Sequence, residues 1–230
     1  MTPGARADDL RIAGLVRLST CDWPGRLVAT VFLQGCPLSC TYCHNPSLID
    51  PRAPGTVSWQ SVRELLDRRR GMLDGVVFSG GEPTRQAGLA PAMREVRERG
   101  FAVGLHTAGP YPRRFAEVLP LCDWVGLDIK APASRYEAVT GVPSSGARAF
   151  ESLRLALEAE VDLQVRTTVD PTVLSPGEVD DLVVALRELG VREHVRQEVR
   201  AEGTRPEFAA RLERVRRELS RTANRSAGAA

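Results

Sequence analysis

Three of the five cysteines stand within eight residues, in Gly35-Cys36-Pro37-Leu38-Ser39-Cys40-Thr41-Tyr42-Cys43-His44-Asn45-Pro46. Thiolates are soft ligands that suit iron–sulfur clusters or zinc. Three of them leave one iron of a [4Fe–4S] cube without a protein ligand, and an open coordination position is what a catalytic site keeps and a structural one closes. Cys40-x-x-Cys43-His44 also fits the c-type haem attachment pattern. That chemistry belongs to exported proteins, and the first fifteen residues show no apolar export segment. A Cys3His zinc site would need the adjacent Cys43 and His44 on one metal, which strains its geometry. Inert buried thiols are the plainest alternative. The spacing favours a cluster on Cys36, Cys40 and Cys43. Cys21 and Cys122 have no neighbouring cysteine to build a second centre and read as structural thiols.

Further positions could carry chemistry. Gly80-Gly81-Glu82-Pro83 would let backbone approach a ligand and turn its carbonyls to an ammonium, although a simple strand-to-helix turn would use the same residues. Of 31 basic residues, 30 are arginine and the one lysine is Lys130, in Asp128-Ile129-Lys130. A lysine that persists against such a bias marks a place for a compact ammonium instead of a planar fork. Asp128 would orient it, help bind a cation or form a strand-end salt bridge. Arg166 falls inside an apolar strand, where a charge must be paired or bound to a ligand. His106 either contacts a ligand or is a satisfied half-buried histidine. Gln197 is a weaker candidate for the same cavity.

These residues need elements to position them. Strand patterns run over Leu27–Leu33, Gly75–Ser79, Phe101–His106, Trp124–Ile129, Asp162–Val169 and, weakly, His194–Val199. VATVFL and GVVF are almost continuously apolar, as strands covered on both faces are. Helical patterns alternate with them over Ser58–Arg70, Leu89–Arg99, Pro112–Leu119, Ala147–Ala159, Glu178–Leu189 and Pro206–Ser220. Ser175-Pro176-Gly177-Glu178 is a capping box with proline at the first helical position. The alternation predicts an α/β fold with parallel strands and outer helices. Six units fall short of a closed eight-fold barrel, so a partial (β/α)6 TIM-like barrel is expected, with an open doubly wound sheet as the alternative. One domain is expected over residues 1–220, with a small, polar, disordered tail over 221–230. A chain that is 43% hydrophobic can bury a core, and 31 basic against 29 acidic residues excludes a strongly basic nucleic-acid binder. No stretch approaches eighteen apolar residues, which predicts a cytoplasmic protein without a membrane span.

The C-x3-C-x2-C spacing with Tyr42 before the last cysteine resembles the signature of the radical S-adenosylmethionine (SAM) superfamily. Asp22-Trp23-Pro24-Gly25-Arg26, taken with Tyr42-Cys43-His44-Asn45-Pro46, resembles glycyl-radical-enzyme activases, in particular those serving anaerobic ribonucleoside-triphosphate reductase. The likeness runs from about residue 12 to 210 and is most specific in the first half. It implies a [4Fe–4S] cluster on Cys36, Cys40 and Cys43 and a SAM molecule chelated at the open iron. Tyr42, His44, Gly80, Gly81, Glu82, His106, Asp128, Lys130 and Arg166 are then cofactor-binding residues. The segment Gly80–Pro83 would receive the amino group of SAM. Lys130 would reach SAM and carry the catalytic role, and Arg166 would meet its carboxylate or an internal partner. Activases often carry Asp-Thr-Asn-Gly where this chain has His106-Thr107-Ala108-Gly109, and that Asp can help hold a monovalent cation near SAM. The change to His106 and Ala108 puts such a cation site in doubt.

The reaction implied is reductive cleavage of SAM, fed by one electron from flavodoxin or ferredoxin. The resulting 5′-deoxyadenosyl radical would take hydrogen from a glycine Cα of the partner enzyme. The rivals are a small-molecule radical SAM enzyme of the 7-carboxy-7-deazaguanine synthase kind, for which no cluster of heterocycle-binding polar residues stands out, and a non-catalytic zinc-binding protein.

Overall fold

The computed structural model describes residues 4–159 and 161–227. Seven strands form one sheet in chain order: β1 (Ile12–Ser19), β2 (Val28–Leu33), β3 (Gly75–Gly80), β4 (Ala102–Thr107), β5 (Trp124–Asp128), β6 (Asp162–Val169) and β7 (His194–Glu198). The pairs from β2 to β7 are all parallel, whereas β1 lies antiparallel against β2 at the edge. The fold is α/β, a central, mainly parallel sheet flanked by helices, and it corresponds to the expected partial barrel. The added strand is β1. Its pattern, IAGLVRLS, carries a glycine and an arginine, and Val16 and Leu18 stay exposed, so no half-buried alternation marks it.

Period-2 alternation sorts the strand residues into two layers. Ala29, Val31, Leu33, Val76, Phe78, Val103, Leu105, Val125, Leu127 and Val165 are fully buried in the main core, beneath the helices. The opposite face is closed by a smaller cluster in which Trp23, Val28, Val77 and Trp124 meet. Trp23 stacks on Trp124 with centroids 5.5 Å apart, and a Cβ on Gly104 would stand 2.9 Å from the Trp23 ring. The Trp23 of the Asp-Trp-Pro-Gly segment therefore packs against the inner face, and glycine in the strand makes room for it.

The helices are α1 (Trp59–Arg68), α2 (Leu89–Glu98), α3 (Pro112–Val118), α4 (Tyr136–Thr140), α5 (Ser145–Glu158), α6 (Pro176–Glu188) and α7 (Pro206–Ala227). Ser175 caps α6 by accepting from the Glu178 N–H, and the Glu178 carboxylate accepts in return from the Ser175 N–H. Five residues are too few for α4 to show a helical period. The polar stretch from Arg221 continues α7 as far as Ala227, and residues 228–230 lie outside the described residues. Among the described residues, no helix is long and apolar enough to cross a membrane.

Candidate active site

The cysteine loop leaves the carboxyl end of β2 and is tied down at both rims. Gly35 and Cys36 donate their N–H groups to Leu48 and Ile49 carbonyls at 2.8 and 3.1 Å. Gln34 donates its side-chain amide to the carbonyls of Ser47 and Asp50. On the far side, Ser39 and Thr41 donate to the Thr140 and Val139 carbonyls at the end of α4, both at 2.9 Å. The Thr41 hydroxyl donates at 2.6 Å to Asp170, which is fully buried just past β6. Arg205, ahead of α7, donates to the Ser39 hydroxyl. The loop is thus held by four separate parts of the chain.

Gly80 and Gly81 close against this loop. Gly80 has φ +116°, and a Cβ there would come within 2.3 Å of the Leu33 nitrogen; one on Gly81 would come within 2.5 Å of the Gly35 carbonyl oxygen. The paired glycines line the cavity, but what forbids a side chain at either is neighbouring backbone. Glu82 lies below the cavity wall and does not line it. Its carboxylate accepts from the Thr84 N–H and hydroxyl, the Thr107 hydroxyl and the Ala108 N–H, joining the turns after β3 and β4. Burial raises its pKa, against those four hydrogen bonds.

Register brings the remaining groups together, because Asp128 pairs with Arg166 across β5 and β6. Asp128 Oδ1 accepts from Arg166 Nε at 3.0 Å, and Oδ2 from Lys130 Nζ at 3.3 Å. Burial alone would raise the Asp128 carboxyl, but the Arg166 and Lys130 cations outweigh it and hold the pKa at about 2. For Lys130, burial works against the ammonium; the Tyr42 oxygen, Asp128 and Cys40 more than offset it and hold its pKa well above the ordinary value. The ammonium also lies 5.7 Å from the Tyr42 ring centroid. Burial, followed by Arg166, lowers His106 to about 4, so it is neutral. Its Nε2 is 2.7 Å from the Asp22 carbonyl, which can only accept; this assigns the proton to Nε2 and leaves Nδ1 to accept from the Ser79 hydroxyl.

One cavity of about 200 Å³ joins Cys36, Cys40, Tyr42, Cys43, His44, Gly80, Gly81, His106, Asp128, Lys130 and Arg166. Ala108, noted above, also lines it, as do Ser79, Thr107 and Thr168, which were not site candidates from sequence; Ser79 and Thr107 stand directly beside motif residues, which was the available signal. Gln197 lines a different groove, beside α6 and β7. Cys21 is exposed, and Cys122 donates its thiol to the Val118 carbonyl.

The donor set fits an iron–sulfur cluster in kind. Three thiols face one cavity, beside a buried Tyr42 hydroxyl that has no hydrogen-bond partner. Among the described residues, no three His, Cys, Asp or Glu side chains converge closely enough to hold a single metal ion. A cube takes each thiolate on a different iron, so its ligands need not converge on one point. Burial pushes the Cys36 thiol up to about 12 and raises Cys40 as well.

Residues 30–218 match the radical SAM superfamily. The chain belongs to that superfamily. Membership implies SAM and iron–sulfur chemistry in general terms. This radical SAM protein is 31% identical over 175 residues to the pyruvate formate-lyase-activating enzyme of Clostridium pasteurianum, covering 73% of this chain and 72% of that one. It is 29% identical over 185 residues to a Methanocaldococcus jannaschii protein provisionally named a glycyl-radical enzyme activating enzyme, covering 77% and 75%. At family level it resembles the glycyl-radical-enzyme activating proteins. In fold it matches Streptococcus suis SuiB bound to precursor peptide SuiA, with TM-score 0.60 and 15% identity over 84% of this chain. It spans 45% of the SuiB chain. It also matches QueE from Escherichia coli, with TM-score 0.52 and 18% identity over 83% of both chains.

Proposed function

We propose that this protein is a glycyl-radical-enzyme activase, with anaerobic ribonucleoside-triphosphate reductase as its partner. The observation that carries the reading is the meeting of the three-cysteine loop with Asp128, Lys130 and Arg166 around one cavity at the carboxyl ends of the strands, the face on which barrel enzymes keep their chemistry. The Asp22–Arg26 and Tyr42–Pro46 segments favour this partner within the activases.

Cys36, Cys40 and Cys43 would hold three irons of a [4Fe–4S] cluster and leave the fourth to SAM. When bound, the cluster would supply the electron, received from flavodoxin or ferredoxin, that cleaves SAM reductively. The chain's own residues bind and orient. The backbone at Gly80 and Gly81, which line the cavity, would receive an ammonium through its carbonyls. Lys130 presents a protonated donor, held by Asp128. Trp23 and Trp124 close the inner face of the sheet with stacked rings. Fixed groups around the cavity would keep a reactive species positioned.

The test is anaerobic reconstitution with iron and sulfide, followed by reduction with SAM and the reductase. A glycyl radical by electron paramagnetic resonance is expected. Cys36→Ala, Cys40→Ala and Cys43→Ala each abolish it together with the cluster chromophore, whereas Cys21→Ala and Cys122→Ala do not. Turnover of a small molecule with no protein radical on any glycyl-radical enzyme moves the assignment to a small-molecule radical SAM enzyme. A colourless protein that retains zinc overturns both.

A further inference from the structure

A half-buried carboxylate facing a ligand cavity favours a positive partner, and the likeness to activases raises the expectation of a bound monovalent cation at this place. The residues of this chain do not fit one. Both oxygens of Asp128 already face a cation of the chain, Oδ1 the Nε and Nη2 of Arg166 at 3.0 Å and Oδ2 the Lys130 ammonium at 3.3 Å. His106, standing where the likeness expects a carboxylate, has its one lone pair facing Ser79 and its proton on the Asp22 carbonyl. The Arg166 guanidinium meanwhile has room made for it. A Cβ on Gly126 would come 3.1 Å from Arg166 Cζ and 3.1 Å from His106 Cδ2. A neutral His106 tolerates the guanidinium Nη1 at 3.1 Å from its Nε2, where two N–H donors meet. Glycine, histidine and arginine on three adjacent strands form one arrangement.

We propose that Arg166 is the resident counter-cation of Asp128, so that this protein binds SAM without a sodium or potassium ion. This rests on the reading of the cavity as a SAM site. Two cations against one carboxylate leave one positive charge uncompensated at the cavity wall. With Arg166 in place, Asp128 is neutralised without consuming Lys130, and the ammonium keeps its charge for an anionic group of the ligand. Without Arg166, Asp128 and Lys130 neutralise each other. Arg166 is in this sense a positioning residue, acting through Asp128 and Lys130.

The experiment measures the SAM dissociation constant of the reconstituted, anaerobic protein in tetramethylammonium chloride and in potassium chloride of equal ionic strength. The parent is expected to differ less than about twofold between the salts, because no cation is recruited. Arg166→Ala is expected to weaken SAM binding roughly tenfold or more in tetramethylammonium, the size of one lost charge-assisted hydrogen bond. Added potassium or millimolar guanidinium should restore a substantial part of it. Circular dichroism and the cluster absorbance establish that the variant is folded and loaded. If it is not, the two-salt comparison on the parent decides by itself. A parent that binds SAM roughly tenfold more tightly in potassium overturns the proposal, as does Arg166→Ala with the parent constant in tetramethylammonium. A loss that neither potassium nor guanidinium restores assigns Arg166 to packing and overturns it too. SAM binding in neither salt overturns the SAM reading and this inference with it.

Discussion

Gly81→Ala measures how closely the end of β3 must approach the cysteine loop. The added Cβ would stand 2.5 Å from the Gly35 carbonyl oxygen and 3.0 Å from that of Leu48, where ordinary contact begins at 3.4 Å. Backbone must therefore yield by about 0.9 Å, the difference between 3.4 and 2.5 Å. Both obstacles are main-chain atoms in the hydrogen-bonded rim of the loop, so neither can swing aside as a side chain would. Overpacking of this kind costs about 1–3 kcal/mol. Gly35 precedes Cys36, so the shift passes to the first thiol, and a displacement near 1 Å in a positioned reactant costs on the order of 100-fold in rate. Gly100→Ala is the control. Gly100 has φ +83° with nothing within 4 Å of its Cβ position, so it pays only conformational strain, about 1–2 kcal/mol, with unchanged chemistry. Denaturant unfolding and 5′-deoxyadenosine formed per cluster are the assays. Gly81→Ala should lose both stability and turnover, and Gly100→Ala stability alone. A Gly81→Ala protein that unfolds and turns over like the parent refutes the steric argument.

Lys130→Arg should keep the fold but lose most SAM cleavage, nearly as much as Lys130→Ala. The lysine side chain is only 10% exposed, between Asp128 and the Tyr42 ring, and a planar fork would need to displace one or the other; 5′-deoxyadenosine formation at the parent rate would make the lone lysine an accident of composition. His106 has a folded pKa of about 4 against an ordinary 6.5, so the unfolded chain binds its proton first. Its contribution to stability is complete above about pH 6.5 and is lost as pH falls towards 4. His106→Gln should flatten the urea midpoint between those values, and an unchanged pH slope would show that the imidazole is not neutralised by folding.

Much of this molecule could be read from residue order alone, and the reasons differ by element. VATVFL and GVVF announce strands because each is sandwiched between the helical layer and the inner face. Ile12–Ser19 does not, since one edge and much of one face meet solvent. Type and spacing pointed to the three cysteines and Lys130, and these line one cavity. The contacts of Glu82 were not legible. Its motif position suggested a ligand; in the fold its carboxylate accepts from Thr84, Thr107 and Ala108. Two of those partners lie 25 and 26 residues away, and no local pattern encodes such a contact. The same holds for Arg166, whose burial was evident but whose partner depended on strand register.

Arg205, which grips Ser39 and reaches the Cys40 carbonyl from 165 residues further along the chain, sets a schedule for biogenesis. A ribosome adding about 5–20 residues each second needs roughly 8–33 s to make that interval. Asp170 is made 129 residues after Thr41 and Arg205 later still, so the loop lacks its last anchor, Arg205, throughout that interval. The full set of contacts that holds the cysteine loop in place is therefore available only once the chain has been made as far as Arg205.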